Sequence, residues 1–314
     1  MLRYSLGRLL LLAPLLFGLS ILTFLYMRLV PGDPIAGMLG PGGTPQLIHE
    51  LRSKFGLDDP LLVQYGRWLV NLFAHGDLGI SFGSGQAITP MLINRIPATL
   101  QLTAAGMFFT VLIGLPAGFF AGVYKDSWLD RLLSVASLVG LSTPPFWVGT
   151  LLILSIAIGL RWLPAGGYVP LSRDVYESLK ETIMPGFALG LSLAPYLARM
   201  TRAAAIEVQQ EPFIKHARAK GLRRRTILWR YVARNAILPV VVVLGLQLGR
   251  LLGGQVIIEE LFNWPGVGRL LIEGAIQRDY AMVQALVLII AAAYVVLNLF
   301  AELAHAALDP RIRL

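Results

Sequence analysis

Six stretches of this chain, about residues 9–30, 100–123, 132–160, 183–201, 236–256 and 282–304, are apolar over a length near that needed to cross a membrane. A helix rising about 1.5 Å per residue covers a hydrocarbon core of ~30 Å in about twenty residues. A chain with six such runs has no water-soluble option. Only 14% of its 314 residues are charged, where a soluble domain has ~25%. It lacks the polar residues to cover a surface, so its apolar side chains must face lipid. The fold class that follows is all-α integral membrane, with six transmembrane helices.

The first run is too long for a signal-peptide core and ends in Pro31-Gly32-Asp33-Pro34 without a small-x-small cleavage pattern, so it reads as an uncleaved span. The third contains Pro144-Pro145 and is expected to kink, tilt or break there. The fourth carries Pro185 and Pro195 and is the weakest candidate for a span. Lys and Arg set the orientation, because they are retained on the cytoplasmic side. With the N-terminus inside, the inner segments hold sixteen Lys/Arg and the much longer outer ones nine. Ten of the sixteen lie between Arg199 and Arg234. Both termini are therefore placed inside. Topology accounts for most of the net charge of +9, and no nucleic-acid partner is expected. The absence of cysteine excludes disulfides, thiolate metal sites and cysteine nucleophiles.

These boundaries predict a tail and first span over 1–30, an extracytoplasmic segment over 31–99, and a five-helix core over 100–314 with a cytoplasmic loop at 202–235. The outer segment has helix punctuation of its own. Thr44-Pro45 reads as an N-cap and first-turn proline, Leu47, Ile48, Leu51 and Phe55 share a face, and Gly56 can stop the helix. Asp59-Pro60 repeats the start signal before Leu61, Leu62, Tyr65, Trp68, Leu69, Leu72 and Phe73. Two amphipathic helices at the outer mouth follow, the second near the interface where Trp and Tyr collect.

The densest positive charge lies in KHARAKGLRRRTILWRYVARN, residues 215–235. Glu211-Pro212 opens a helix, with an acid at the positive end of the dipole and proline where no donor is needed. Arg218 and Lys220 fall in its last turn, and Gly221 supplies a left-handed stop. The spacing predicts a helix over 212–220, outside the membrane, with small Ala217 and Ala219 among basic residues. A passive topological anchor on anionic lipid would need no such punctuation.

HARAKGL (216–222) followed by RNAILPV (234–240) resembles the inner-membrane subunits of binding-protein-dependent ABC importers, in the dipeptide/oligopeptide/nickel branch. The resemblance runs along nearly the whole chain. It takes in PGDP (31–34), FGLDDPL (55–61), GDLGISF (76–82), PATLQL (97–102), WLPAGGY (162–168), GLQLGRLLGGQVIIEELFNWPGVGRLL (245–271), RDY (278–280) and ALDPRIR (307–313). It implies a type I importer-like permease fold in the bacterial or archaeal inner membrane, paired with a homologous second permease subunit. It also implies two cytoplasmic ATPase subunits, which bind the ATP and Mg, and an extracytoplasmic solute-binding protein. No cofactor is expected on this chain, and no catalysis. The family's coupling helix maps onto Glu211, Pro212, Phe213, His216, Ala217, Arg218, Ala219, Lys220, Gly221 and Leu222. Ala217, Ala219 and Gly221 would then permit close approach of the ATPase, while Arg218 and Lys220 pair with its acids or cap its carbonyls. The general EAA-x3-G pattern would put Lys215, His216 and Ala217 at its first three positions, so its acid is missing here. The closing Leu-Pro falls eighteen residues after Gly221 instead of about thirteen. Both departures point to the peptide/nickel branch.

Arg250, Glu259, Glu260, Asn263 and Asp279 are the candidates for the translocation pathway. An ionisable group in a span is a functional candidate because its insertion costs ~2.5–3.5 kcal/mol; the alternative for Arg250 is an ion pair fixing spans. Glu259 and Glu260 fall near the outer interface, where exposure is cheap. LLGGQ (251–255) is compared with the signature of ABC ATPases, but it lacks the serine, and no G-x4-G-K-[ST] loop accompanies it. Gly253 and Gly254 read as close helix packing. His49, His75, His216 and His305 form no i, i+3 or i, i+4 pair, so no metal site is expected. The reading is a peptide importer's permease, with nickel or another small solute as the alternative cargo. A secondary transporter is the alternative from another class, and a membrane-embedded hydrolase a third that lacks its catalytic groups.

Overall fold

The structure is a computed structural model that describes residues 2–29, Ile35, Leu39 and 44–308. The PGDP motif at 31–34, Arg311 and Arg313 lie outside the described residues, as does the packing around Gly253 and Gly254. Two compact units divide the chain: Leu100–Trp264 with Tyr294–Leu314 form the larger, and Leu2–Thr99 with Pro265–Ala293 the smaller.

In the smaller unit, α1 (Leu2–Leu29) packs against α3 (Leu61–His75) through aromatic edges. The Tyr65 ring meets Phe17 and Phe24, and its hydroxyl lies 2.7 Å from Ser20 Oγ. Between them, α2 (Pro45–Lys54) starts as its sequence predicts: Pro45 is its first residue, the Thr44 side chain accepts from the Leu47 N–H, and Gly56 follows at φ +63°. The start of α3 differs. Pro60 itself is the cap residue and Asp59 caps nothing. Its carboxylate is drawn along the helix to Arg67, at 2.6 Å. Leu62 and Phe73 on α3 stay exposed, an apolar edge suited to a membrane interface.

The remaining core of this unit joins the start of α4 (Ile88–Val123), α11 (Val267–Ile276) and the start of α12 (Tyr280–Leu308). Ile88, Leu92, Val267, Leu270, Met282 and Leu286 are buried together. Asp279, 1% exposed, organises the polar side. Its carboxylate accepts from Ser81 Oγ at 2.5 Å, from the Gly83 N–H at 3.2 Å and from the Met282 N–H at 3.1 Å. One side chain thus caps α12 and pins the 76–87 turn, so the GDLGISF and RDY motifs form a single structure.

In the larger unit, α4 meets α7 (Val175–Gln210) along Gly114, Gly118 and Gly122. A Cβ at Gly114 would lie 2.6 Å from the Ala194 carbonyl oxygen, one at Gly118 would strike that of Ala198, and one at Gly122 would lie 2.7 Å from Ala205 Cβ. Spacing by four keeps these glycines on one helix face, and only hydrogen side chains allow the backbones this close. The predicted run 183–201 lies within α7, whose 36 residues carry Pro185 and Pro195 without interruption. That face is small and partly polar, with Ser178, Thr182 and Thr201 buried.

The third predicted run breaks where its prolines stand. Helix α5 (Trp128–Ser142) stops, Pro145 opens α6 (Pro145–Leu152), and the two are bent by 97°. Helix α6 widens into π geometry over Ile153–Leu160 and ends at Arg161, φ +57°. After α8 (Pro212–Ala219), a turn at Arg224–Thr226 and a π-helical stretch Ile227–Ala233 lead into α9 (Arg234–Gly254). Helix α10 (Val256–Leu261) follows. Among the described residues, three helices are long and apolar enough to span a membrane alone: α4, the run Arg224–Leu251 and the α12 segment Tyr280–Ala301. The bent α5–α6 pair makes a fourth, and α1 contributes a shorter apolar stretch, Pro14–Tyr26. Helix α7 is not among them, because its buried polar face lowers its apolar character.

Candidate functional site: a short helix seated on the bundle

Helix α8 is bounded on both sides by residues chosen for backbone geometry. Glu211 is its N-cap residue in extended conformation, without a side-chain bond, and Pro212 occupies the first turn. At the other end, the Leu222 N–H donates to the Ala217 carbonyl at 3.3 Å and the Gly221 N–H to that of Arg218 at 2.9 Å. This pair of bonds is the Schellman arrangement, which needs a left-handed residue at its turn. Gly221 supplies it at φ +70°. Nothing lies within 4 Å of a Cβ placed there, so the backbone angle, not space, demands glycine. His216 Nδ1 donates to the Pro212 carbonyl at 2.8 Å and ties the helix to its own first turn. The helix ends at Ala219 with Lys220 as its cap, one residue short of the predicted 212–220.

Its two faces differ sharply. Ile214 and Ala217 are buried against Phe119 of α4, Ala204 and Ala205 of α7, Ile227 and Val232 of the π stretch and Ala236 of α9. Phe213, His216, Arg218, Ala219, Lys220, Gly221 and Leu222 are exposed, and Glu211 half-buried. Ala217 was expected to offer close approach to a partner. The structure turns it inward, because it stands three residues after Ile214 on the same face. Ala219 and Gly221 remain outward.

The end of α7 that leads into α8 is held by an ion pair whose acid is buried. Arg202 reaches Asp130 at the start of α5 through two bonds of 2.6 and 2.8 Å. Asp130 is 3% exposed and also accepts from the Asp126 N–H and from Ser134 Oγ. Gln209 Nε2 donates to the Gly122 carbonyl at 2.9 Å. Nothing in the sequence pairs Asp130 with Arg202, since 72 residues separate them. An acid one turn after a capping serine is the only local hint, and Ser127 does cap α5.

The pathway candidates fall in separate places. Arg250 is exposed on α9, its guanidinium 5.4 Å from the Tyr196 ring centroid on α7. Glu259 is fully buried in α10, correcting its expected exposure at an interface. The 162–168 segment packs on the residues that follow it: the Gly167 N–H donates to the Phe262 carbonyl at 3.0 Å, and the Tyr168 ring stacks edgewise on Trp264. Glu260 and Asn263 are exposed beside it, Asn263 at φ +53°. Asp279 belongs to the smaller unit, where it caps α12. A carboxylate that sequence reading missed is Glu181, whose Oε2 is buried without a hydrogen-bond partner beside Gly167. Burial, then the nearby Glu177 charge, raises its pKa. Its burial arises only once Gly167 of the 162–168 turn is folded against it.

Residues 114–314 match the family model described as binding-protein-dependent transport system inner membrane component, and residues 1–103 match the model of its N-terminal region. The chain belongs to this family. As such a component it is a multi-pass inner-membrane permease subunit that works with a binding protein. Relatives align over the whole chain. The glutathione transport system permease protein GsiC of Escherichia coli (strain K12) is 38% identical over 313 residues, covering 100% of this chain and 99% of its own length. The dipeptide transport system permease protein DppB of Alkalihalophilus pseudofirmus is 37% identical over 334 residues, with both chains fully covered. Among solved structures, an inward-facing MetNI methionine ABC transporter superposes with a TM-score of 0.59 at 19% identity, covering 71% of this chain and 98% of that one. That likeness shows the fold.

Proposed function

We propose that this permease is the non-catalytic, six-span, N-in/C-in subunit of an ATP-driven importer of di- and oligopeptides, with α8 as its coupling helix. A homologous second subunit completes the pathway, and two cytoplasmic ATPase subunits carry the ATP and Mg. The observation that carries the coupling assignment is the two-faced geometry of α8. Its inner face is packed into a core shared by α4, α7, the π stretch and α9, while its outer face offers Phe213, Arg218, Lys220 and Leu222. A helix so seated cannot move alone; displacement of its outer face is delivered to four elements as rigid-body motion. Peptide cargo is supported by relatives named for dipeptide and glutathione transport that align end to end.

The test is Gly221→Val in the full complex, reconstituted in vesicles with its binding protein. A β-branched residue at positive φ costs about 1–2 kcal/mol and unwinds the stop of α8. Labelled dipeptide uptake should fall at least tenfold while the subunit stays in the membrane and the ATPases still hydrolyse ATP. Uptake at the unaltered rate overturns the coupling role. Uptake that depends on α8 but ignores dipeptides overturns only the cargo.

A further inference from the structure

Where the π stretch meets α4 and α9, the larger unit contains an apolar cavity of about 210 Å³. Leu115, Phe119, Phe120, Trp229, Ile237 and Val240 form most of its wall. Thr201 also lines it, but its hydroxyl is already committed to the Leu197 carbonyl at 2.8 Å. The wall therefore has nothing for a polar ligand and fits a hydrocarbon chain.

The chain neighbours of the lining residues are different. Tyr124 lies one turn beyond Phe120, half-exposed, and the Arg224 guanidinium sits 5.3 Å from its ring centroid. Arg230 and Arg234 each follow a lining residue, Trp229 and Ala233, so they share the neighbouring face of the same helical run; both are exposed. Among the described residues none of these three arginines pairs with a carboxylate. Exposed Tyr124 and Trp229 add aromatic side chains of the kind that collect at headgroup level. An apolar cavity thus has aromatic side chains and unneutralised cations as the immediate chain neighbours of its lining residues.

We infer that this cavity binds one acyl chain of an anionic phospholipid of the cytoplasmic leaflet, with its phosphate among Arg224, Arg230 and Arg234. The cavity excludes free phosphate as the whole ligand, since a bare ion uses none of the apolar wall. The arginines select against a zwitterionic lipid, because cations near a membrane surface draw anionic headgroups. The site bears on transport through the π stretch: Trp229 and Ala233 face the cavity, while Ile227 and Val232 of the same stretch pack on Ile214 and Ala217 of α8. The lipid is placed against the joint that α8 moves, whether or not an ATPase docks there.

The test uses the full transporter in phosphatidylcholine vesicles with trace photoactivatable lipids, diazirine on the acyl chain, bearing either a phosphatidylglycerol or a phosphatidylcholine headgroup. The phosphatidylglycerol probe should label segments 115–120 and 229–240 at least fivefold more than the phosphatidylcholine probe. Arg230→Gln with Arg234→Gln should bring the two to the same level. Ala233→Phe, which fills the cavity, should remove both; the arginine pair decides the matter if that variant fails to fold. Equal labelling of the unaltered protein by the two probes overturns the headgroup assignment. No labelling of these segments in the assembled transporter means another protein surface covers the cavity, and overturns the site.

Discussion

Gly118 shows how little room single positions leave in this membrane core. A Cβ there would enter the van der Waals shell of the Ala198 carbonyl and come within 2.7 Å of Thr201 Cβ. Neither is the movable tip of a side chain, so α4 and α7 must separate. Gly118→Val should lower stability by about 1–3 kcal/mol, the usual cost of overpacking, seen as a lower thermal midpoint in detergent. Gly66 on α3 provides the opposite sign: nothing lies within 4 Å of its Cβ position, and Ala there should gain about 0.5–1 kcal/mol because helix-interior glycine carries excess entropy. A second residue-scale prediction concerns Asp130. Removing Arg202, itself a third exposed, leaves a carboxylate at 3% exposure without its counter-ion, and Arg202→Ala should cost about 1–3 kcal/mol. Adding Asp130→Asn should recover most of that loss, which chemical denaturation of both variants can measure. Sequence reading found Thr44, Gly56 and Gly221, because caps act within a few residues of themselves. It did not find the Asp130–Arg202 pair or the burial of Asp279, since a charge does not reveal which distant partner the fold brings to it.

At the scale of elements, the information lay in punctuation and was lost in facing. Pro144-Pro145 broke its run, and Glu211-Pro212 and Gly221 bounded α8 to within one residue. Which side of α8 faced a partner was assigned from residue size alone, and Ala217 went to the wrong side. A helix of eight residues has only two turns, and Ile214 with Ala217 forms the whole buried face. That gives an element-scale prediction with a built-in contrast. Ala217→Leu forces three extra carbons into the Phe119–Ala205–Val232 cluster and should tilt α8, reducing coupled uptake several-fold. Ala219→Leu, outward and exposed, leaves the seat intact and should impair only ATPase association. Measured together, uptake and pull-down of the ATPases distinguish a mis-seated helix from a blocked docking surface. Loss of seating alone with Ala219→Leu would reverse the assignment of the two faces.

At the scale of the whole molecule, the sequence motifs were legible singly but not in their pairing. GDLGISF and RDY stand 198 residues apart at Ser81 and Asp279, yet form one turn and cap in the smaller unit. WLPAGGY closes over Phe262 and Trp264 in the larger one. The division between the units falls inside the continuous helices α4 and α12, so apolar runs could not reveal it. Of the pathway candidates, Glu259 and Asp279 are buried, Asp279 as the cap of α12, and the exposed Arg250 lies over the Tyr196 ring. An ion-coupled carrier needs intramembrane charges able to load and release in turn. The complete transporter in sealed vesicles should therefore keep its rate of peptide uptake when ionophores collapse every ion gradient, and stop when ATP is consumed. If uptake instead followed the gradients and ignored ATP, the basic face of α8 would have no motor to serve, and the buried seat of Ile214 and Ala217 would be packing alone.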